Sequence, residues 1–270
     1  SDLAGKEYES FVKITPAKIK KKVAVIGSGP AGMQAAITAS ERGHDVTLFE
    51  KKDRLGGALY YVAIPDFKQD YKDYKDYIIN TVNKCGANIV TGIEVTADGI
   101  KDGKFDTVIV ATGAETFRPN IEGAKNPKIY DPLEVLDGNI PSGDNIIVCG
   151  AGMIGCEVSM FLSEKGKNIT MIDRLPEAAP DLPIYTKWVL NSKLAELNVT
   201  QKLNHQIIEM NETNVKCTFD ETEFTYNSDA VICALGLKSV RNLTDELREK
   251  CSSMEIITVG DTNKPKKIMQ

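Results

Sequence analysis

A strand–turn–helix–strand pattern with three glycines in its turn occurs twice in this 270-residue sequence. The first copy opens with the apolar run Val23–Ile26 and continues into a helical pattern that ends at Gly43. A second apolar run follows and ends on Glu50. The turn glycines, in G-x-G-x-x-G spacing, are Gly27, Gly29 and Gly32. A strand before the turn, a helix after it and an acid about 20 residues further on make this pattern specific.

The second copy, Ile146–Asp173, preserves this spacing at an offset of 123 residues (150 minus 27). Its glycines are Gly150, Gly152 and Gly155. Asp173 occupies the position of Glu50. The same offset relates Asp106–Gly113, DTVIVATG, to Asp229–Gly236, DAVICALG, so the repeat extends to the last strand of each copy. The predicted fold class is α/β, with two Rossmann-like domains built on parallel sheets with flanking helices and small antiparallel meanders.

Each residue type in the repeat has a physical role. The first glycine permits the tight turn, the second lets a pyrophosphate approach the backbone because it has no Cβ, and the third lets the helix pack closely on the strand. The helix N-terminus offers free N–H groups and the positive end of its dipole. The final carboxylate accepts hydrogen bonds from an adenosine ribose. Two copies in register therefore predict two dinucleotide sites.

Composition and charge argue against several other functions. The net charge of −5 argues against nucleic-acid and membrane-surface partners, and no apolar run approaches the ~20 residues of a membrane span. The six cysteines form no compact ligand spacing, so we expect no metal site and reduced, mostly buried thiols in a cytoplasmic protein. The only two histidines, His44 and His205, have no visible acid–base partners, and we predict no catalytic side chain.

Patterning along the chain predicts the other elements. Residues 1–21 resemble a polar linker or tail, and the proline-rich stretch Phe117–Gly143 resembles a connector between the two halves. The remaining predicted elements are helices over Phe67–Cys85 and Pro183–Leu197, an antiparallel meander over Val199–Tyr226, a strand over Glu255–Asp261 and a helix from about Pro265.

A further glycine turn distinguishes the two copies. Arg54-Leu55-Gly56-Gly57 follows closely behind Glu50. In the second copy we align Arg174-Leu175-Pro176 with this turn, and the glycines are missing there. The two sites are therefore expected to differ, with the larger dinucleotide in the first.

These motifs, in this order, resemble the two-dinucleotide-binding-domain flavoprotein reductases. The motifs that carry the resemblance are Gly27–Gly32 with Glu50, Gly56-Gly57, Ala111-Thr112-Gly113, Gly150–Gly155 and Gly260-Asp261. The stretch ITPAKIKKKVAVIGSGPAGM and the ending TVGDTNKPKKIMQ are similar to the C-terminal region of the old-yellow-enzyme-type NADH:flavin oxidoreductases. That group includes 2,4-dienoyl-CoA reductase, enoate reductase and trimethylamine dehydrogenase.

The resemblance implies a domain organisation and a partner. Residues 22–142 and 238–270 would form an FAD-binding domain, and residues 143–237 an inserted NAD(P)H-binding domain. In the family, a TIM barrel carrying FMN and a 4Fe-4S cluster precede this region. The chain is therefore expected to be a C-terminal module whose N-terminal partner lies outside this sequence.

The family's FAD contacts fall on the first copy and on the last strand. Glu50 would bind the adenosine ribose, Val95 the adenine, and Asp261 the ribityl–pyrophosphate part. The residues expected to hold FAD are Gly27, Gly29, Pro30, Ala31, Gly32, Glu50, Lys51, Arg54, Gly56, Gly57, Val95, Ala111, Thr112, Gly113, Gly260 and Asp261.

The nicotinamide dinucleotide is expected on the second copy. Asp173 favours NAD(H) over NADP(H) because a carboxylate repels a 2′-phosphate, although Arg174 beside it could pair with that phosphate. Glu157 would lie near the nicotinamide or be a solvated helix residue, with equal weight. The residues expected to hold this dinucleotide are Gly150, Gly152, Met153, Ile154, Gly155, Asp173, Arg174, Ala234, Leu235 and Gly236.

The resemblance implies hydride transfer from nicotinamide C4 to flavin N5, in which the cofactors carry the chemistry. Electrons would continue to the 4Fe-4S cluster and to FMN in the barrel, where an unsaturated substrate of enoate or dienoyl type is reduced. Two alternatives stay open. The chain could be a nucleotide-binding scaffold without redox turnover, or a free-standing NADH oxidase or diaphorase.

Overall fold

The computed structural model describes residues 14–251 and 254–265. The described residues form two compact units, one of residues 14–115 with 238–251 and 254–265, and one of Thr116–Leu237. The second unit is a continuous segment inserted into the first, as predicted. Most of the expected tail and the helix expected from Pro265 onward lie outside the described residues.

The elements are numbered in chain order. The strands are β1 Lys22–Ile26, β2 Asp45–Phe49, β3 Asn88–Val90, β4 Thr107–Val110, β5 Ala114–Thr116, β6 Asn145–Cys149, β7 Asn168–Ile172, β8 Thr200–Lys202, β9 Gln206–Met210, β10 Asn214–Phe219, β11 Thr222–Asn227, β12 Ala230–Cys233, β13 Leu237–Ser239 and β14 Glu255–Thr258. The helices are α1 Pro30–Glu41, α2 Ala58–Val62, α3 Gln69–Lys84, α4 Ala97–Asp102, α5 Pro132–Leu136, α6 Met153–Ser163, α7 Ile184–Glu196 and α8 Asn242–Lys250, with a 3-10 turn at Gly260–Thr262.

The first unit is built on a parallel sheet with the order β14-β4-β1-β2-β3. Its central strand β1 is apolar because both faces of a parallel sheet are covered, and Ala24 and Val25 are fully buried. One core cluster joins β1 and β2 to α1 and α3, and a second joins β1 and β4 to α4 and α8. The glycine turn lies at the carboxyl end of β1, the edge at which such sheets bind ligands.

The second unit repeats this arrangement in a parallel sheet with the order β12-β6-β7-β8. Its core combines apolar side chains of β6 and β12 with those of an antiparallel sheet of the order β11-β10-β9. In each unit the strand before the glycine turn is central, and the strand that ends in the acid is its neighbour. The α/β class with two Rossmann-like domains is therefore confirmed.

Two predicted elements differ from those observed. The stretch predicted as a meander begins with β8, which pairs in parallel with β7, and only β9–β11 are antiparallel. A strand that follows a crossover helix such as α7 returns parallel to its predecessor. In α3, Ile78 and Val82 are buried, whereas Tyr71 and Tyr74 of the predicted apolar stripe are exposed.

Residues 117–143, expected to connect the halves, pack instead as part of the second unit. Tyr130 donates its N–H to Val231 O at 2.9 Å, and Ala124 and Ile129 are buried in that unit's core. Proline and glycine mark turns but do not reveal that the segment between them is anchored by a few apolar side chains. Residues 116–142 therefore belong to the inserted unit, which begins at Thr116.

Within the described residues, no helix combines the length and apolar character needed to cross a membrane. Residues 14–251 and 254–265 also contain no group of three or more His, Cys, Asp or Glu side chains placed to hold a metal ion.

Candidate dinucleotide-binding sites

The first glycine turn is held by contacts that only glycine permits. Gly27 has φ +101° and donates its N–H to Phe49 O at 2.8 Å. A Cβ on Gly27 would lie 2.3 Å from Ala111 O, and one on Gly32 would lie 1.9 Å from Gly27 O. The backbone of the turn therefore packs directly against the backbone that follows β4 and against the first residues of α1.

The second turn reproduces these contacts at the predicted offset. Gly150 has φ +112° and donates to Ile172 O at 2.7 Å. A Cβ on Gly150 would lie 2.3 Å from Ala234 O, and one on Gly155 would lie 1.9 Å from Gly150 O. The sequence repeat is thus a repeat of atomic contacts.

The middle glycine of each turn faces open space. A Cβ on Gly29 or on Gly152 would meet no atom within 4 Å. The first intrahelical bonds are Met33 N to Gly29 O and Cys156 N to Gly152 O, each at 2.9 Å. The N–H groups of the preceding helical residues have no intrahelical acceptor, as in any helix N-terminus. These residues are Ala31, Gly32, Met153, Ile154 and Gly155, with Pro30 contributing no N–H. An open approach to unpaired N–H groups fits a pyrophosphate at both turns.

A buried carboxylate is fixed beside each turn by backbone N–H groups. Glu50 accepts from Ser28 N at 2.8 Å, Ser28 Oγ at 2.6 Å and Lys52 N at 2.9 Å. Asp173 accepts from Ala151 N at 2.6 Å and Leu175 N at 2.8 Å. An ionised carboxylate has about four lone-pair sites, so each retains capacity for ribose hydroxyls.

The Gly56-Gly57 turn packs directly on the first glycine turn. Gly56 donates to Ser28 O at 3.1 Å, and a Cβ on Gly57, whose φ is +53°, would lie 2.7 Å from the Cα of Gly29. In the second copy the matching hydrogen bond, to Ala151 O at 2.7 Å, comes from Ala179. The alignment of Arg174-Leu175-Pro176 with the Gly56 turn is therefore wrong.

The offset of 123 residues holds through this segment, and Ala179 adopts φ +45° at the place of Gly56. Ala179 is buried, and Pro180 follows it where Gly57 stands in the first unit. The two turns differ as expected, since only the first has a glycine pair packed beside it.

Arg54, Lys51 and Val95, which were also expected to hold FAD, differ in burial and in their contacts. The Arg54 guanidinium stacks on the ring of Tyr60, with its carbon 3.7 Å from the ring centroid. Lys51 is exposed, and Val95 is half-buried against the core. Arg174, next to Asp173, is exposed.

The ends of β4 and β14 meet at the N-terminus of α1. Gly113 N donates to Thr262 Oγ1 at 2.7 Å, and Thr112 Oγ1 donates to Val240 O at 2.8 Å. A Cβ on Gly260 would lie 2.7 Å from that of Ala31. These contacts bring Ala111, Thr112, Gly113, Gly260 and Asp261 to the side of the first glycine turn.

The second site is completed by the end of β12 and by α6. Ala234 N donates to Cys149 O at 2.8 Å, Leu235 follows it, and Gly236, with φ +112°, accepts from Phe117 N at 2.9 Å. Glu157 is only 5% exposed, so it is not the solvated helix residue that the sequence allowed as an alternative.

The cysteines near the second turn are protonated thiols. Burial raises the pKa of Cys149 well above its usual value. Burial, with the charges of Glu157 and Asp173, raises the pKa of Cys156 to about 12. All six cysteines of the chain are free, and all except the half-buried Cys85 are buried.

Sequence reasoning missed three polar residues. Ser28 and Thr262 are fully buried; Ser28 binds Glu50, and Thr262 binds Gly113. Of the two, only Ser28 could have been singled out from the sequence, because it lies inside the glycine motif. His205 does have partners: Nδ1 contacts Leu203 O at 2.7 Å, and Nε2 contacts the Tyr226 hydroxyl at 3.2 Å. Those partners are supplied by tertiary packing, which the sequence pattern does not reveal.

Comparison with known proteins agrees with this geometry. Residues 21–266 match the pyridine nucleotide-disulphide oxidoreductase family. The chain is 32% identical to "NADH oxidase" of Thermoanaerobacter brockii, over 99% of the chain and 42% of that protein. It is 31% identical to "Cinnamate reductase" of Clostridium sporogenes, over 98% of the chain and 39% of that protein.

Among solved structures, a 2-naphthoyl-CoA reductase in complex with 2-naphthoyl-CoA superimposes with a TM-score of 0.91 at 29% identity. The match covers 99% of this chain and 40% of that one. The chain thus spans about two fifths of the length of these relatives. The predicted resemblance to the C-terminal part of the old-yellow-enzyme-type reductases is confirmed. The chain belongs to the pyridine nucleotide-disulphide oxidoreductase family, whose members are NAD(P)H-dependent flavoprotein oxidoreductases.

Proposed function

We propose that this chain is the NAD(P)H:flavin oxidoreductase module of a longer reductase, with FAD held by the first unit and NAD(H) by the second. The observation that carries the proposal is the duplicated turn, in which an open glycine, a helix N-terminus and a fixed buried carboxylate recur together. When bound, the two cofactors supply hydride transfer from the reduced nicotinamide to the flavin.

The first unit is assigned to FAD because only it has the Gly56-Gly57 turn. Its glycine turn would hold the pyrophosphate, Glu50 the adenosine ribose, and Val95 the adenine. Arg54 would line the path of the dinucleotide. The strand ends at Thr112-Gly113 and Gly260-Asp261 would close over the remainder, with Asp261 on the ribityl–pyrophosphate part.

The second unit is assigned to NAD(H). Gly150, Gly152 and Gly155 would hold its pyrophosphate, and Asp173 its ribose. The Asp173 carboxylate is held in place by two backbone N–H groups, so it cannot swing away from a 2′-phosphate without losing both. Its fixed charge therefore favours NAD(H) over NADP(H). Glu157 is proposed to lie near the nicotinamide.

The rest of the proposal concerns the longer polypeptide. Electrons would pass to an N-terminal part that carries a 4Fe-4S cluster and FMN in a TIM barrel, and an unsaturated substrate would be reduced there. Two observations support this. The relatives are more than twice as long as this chain, and one of them is named a cinnamate reductase. The six free thiols support a reducing, cytoplasmic setting.

An anaerobic titration tests the proposal. The protein is reconstituted with FAD, freed of excess cofactor by gel filtration and titrated with NADH while the visible flavin absorbance is recorded. We expect bleaching at about one NADH per flavin and a weaker response to NADPH. Loss of flavin during gel filtration would favour the nucleotide scaffold. Retained flavin that NADH cannot bleach would refute the oxidoreductase assignment for this chain.

A further inference from the structure

The buried imidazole of His205 has a hydrogen-bond partner at each ring nitrogen. His205 is 8% exposed, with Nδ1 2.7 Å from Leu203 O and Nε2 3.2 Å from the Tyr226 hydroxyl. A carbonyl oxygen can only accept, so the proton is assigned to Nδ1, and Nε2 then accepts from the hydroxyl. The ring also stacks on Phe219, with the ring centroids 4.8 Å apart and the planes at 8°. His205 is therefore held in one tautomer and one orientation, yet the proposed hydride transfer does not involve it.

The turn formed by residues 203–205 is hydrogen-bonded to the loop that carries the Asp173 carboxylate. His205 N donates to Asp173 O at 2.9 Å, and Asn204 N donates to Leu175 O at 3.1 Å. Asn204 has φ +59°, a left-handed conformation that is less favourable for a residue with a Cβ. The hydrogen bond that His205 donates from Nδ1 spans this residue, so the imidazole stabilises the turn in the shape that aims both N–H groups at the loop.

The loop in turn fixes the carboxylate. Leu175 N donates to Asp173 Oδ1 at 2.8 Å, and Leu175 O is the acceptor that the 203–205 turn binds. A movement of the turn would therefore move the backbone of Leu175 and one of the two N–H donors of the carboxylate. The other donor, Ala151 N, belongs to the glycine turn and would stay in place.

The first unit has the same backbone hydrogen bonds without the histidine. Ile93 N donates to Glu50 O at 3.1 Å, and Gly92 N donates at 2.8 Å to the carbonyl oxygen two residues after Glu50. Gly92, with φ +74°, thus occupies the place of Asn204, and Ile93 occupies the place of His205. Ile93 is 51% exposed and its side chain has no hydrogen-bonding group. The buried imidazole is therefore a feature of the second site alone.

We propose that His205 is a positioning residue of the second dinucleotide site, where it holds the 203–205 turn and, through that turn, the Asp173 carboxylate that binds the ribose of NAD(H). The inference rests on the proposed function, which assigns NAD(H) to this unit. A carboxylate that can turn away no longer repels a 2′-phosphate. Loosening the turn should therefore weaken NAD(H) binding and also reduce the preference for NAD(H) over NADP(H). A residue that only stabilises the fold would not change this preference.

The test measures the Kd of the FAD-loaded whole chain for NAD⁺ and for NADP⁺ by calorimetry, because the oxidised nucleotides transfer no hydride to oxidised flavin. His205→Ala should raise the Kd for NAD⁺ about three- to tenfold, the range for the loss of one hydrogen bond. The Kd for NADP⁺ should rise less, so that its ratio to the Kd for NAD⁺ falls about twofold or more. His205→Asn places an amide N–H near the position of Nδ1 and should restore NAD⁺ binding to within about twofold of the wild type.

Three further variants separate positioning from folding. Ile93→Ala changes the equivalent residue of the first unit and should leave both constants unchanged. In an Asp173→Ala background, His205→Ala should have no further effect on NAD⁺ binding, because its action passes through that carboxylate. Circular dichroism checks that each variant folds. Tyr226→Phe removes only the hydroxyl that donates to Nε2, and it should lower the same ratio even if His205→Ala does not fold.

The outcomes distinguish this inference from the proposed function. An unchanged ratio in folded His205→Ala or in Tyr226→Phe, while Asp173→Ala weakens NAD⁺ binding, would overturn the positioning role alone. Fully additive losses in the double variant would do the same, since the histidine would then act elsewhere than on the carboxylate. A wild-type chain that binds no NAD⁺, or an Asp173→Ala variant that binds it as tightly as the wild type, would overturn the assignment of NAD(H) to this unit and the inference with it.

Discussion

At the scale of the residue, the glycines of the first turn divide into packed positions, Gly27 and Gly32, and one open position, Gly29. Gly29 has φ −64°, which any residue adopts, and open space where a Cβ would stand. We expect Gly29→Ala to change the free energy of unfolding by less than about 0.5 kcal/mol. The same methyl would meet the pyrophosphate, so the Kd for FAD should rise about tenfold or more. Urea unfolding and fluorescence titration with FAD measure the two effects.

Two controls accompany this substitution. In Gly32→Ala the Cβ would lie 1.9 Å from Gly27 O, and a destabilisation of about 3 kcal/mol is expected from overpacking alone. Gly152→Ala, whose position is also open, should weaken NADH binding and leave FAD binding unchanged. If Gly29→Ala and Gly152→Ala weakened the same ligand, the assignment of one dinucleotide to each unit would fail.

The buried thiol of Cys156 gives the fold a pH dependence on the alkaline side. Its pKa is raised to about 12, whereas an unfolded thiol ionises near pH 8.5–9. Between these values the unfolded chain loses a proton that the folded chain keeps. The contribution of Cys156 to the free energy of unfolding should therefore be constant below about pH 8.5 and fall by about 1.4 kcal/mol per pH unit above about pH 9.

Cys156→Ala isolates this contribution from other groups that ionise at high pH. Its urea midpoint should fall less steeply than that of the wild type between about pH 9 and pH 10, even though the variant starts less stable because of the small cavity. Parallel pH profiles for the two proteins would show that the thiol is not protected.

At the scale of the element, the short helix α2 holds Arg54 over the ring of Tyr60 at 3.7 Å. Tyr60→Leu removes the ring and should raise the Kd for FAD about two- to fivefold, because a stacked cation contributes ~0.5–1 kcal/mol at a partly exposed site. Tyr60→Phe keeps the ring and should bind FAD as the wild type does. Equal weakening by both substitutions would assign the role to the hydroxyl instead.

Strands and helices could be predicted where the local sequence pattern alone determines them. The strands β1, β2, β6 and β7 and the helices α1 and α6 follow from an apolar run, a glycine turn and a helical pattern. The helix α4 escaped prediction because it is short and depends on the Thr96 side chain, which accepts from Gly99 N at 3.1 Å. The parallel pairing of β8 was also missed, since it depends on the path of the chain through α7.

At the scale of the whole molecule, the repeat predicted where the two glycine turns and their carboxylates lie, and the family resemblance predicted the insertion. The glycines and carboxylates could be predicted because the local sequence specifies them: the glycines form tight turns, and each carboxylate directly follows a strand. The boundary near residue 116 was missed because it depends on where Ala124 and Ile129 pack. The substrate class proposed above rests instead on the relatives, which are more than twice as long as this chain.

The inserted unit should fold when excised. Thr116–Leu237 is continuous, has its own core, and its ends are joined by the hydrogen bond from Phe117 N to Gly236 O at 2.9 Å. Domains with adjacent termini tolerate such excision. The remaining unit can be rejoined through a short glycine–serine linker, because Val240 N lies 3.0 Å from Gly113 O.

We expect both pieces to unfold cooperatively in urea, the excised segment to bind NADH within about threefold of the whole chain, and the rejoined unit to bind FAD. NADH should then no longer bleach the flavin when the two pieces are mixed at low concentration, because linkage within one chain supplies the effective concentration of the two sites. An excised segment that binds FAD, or a rejoined unit that binds NADH, would reverse the proposed assignment while leaving the repeat itself intact.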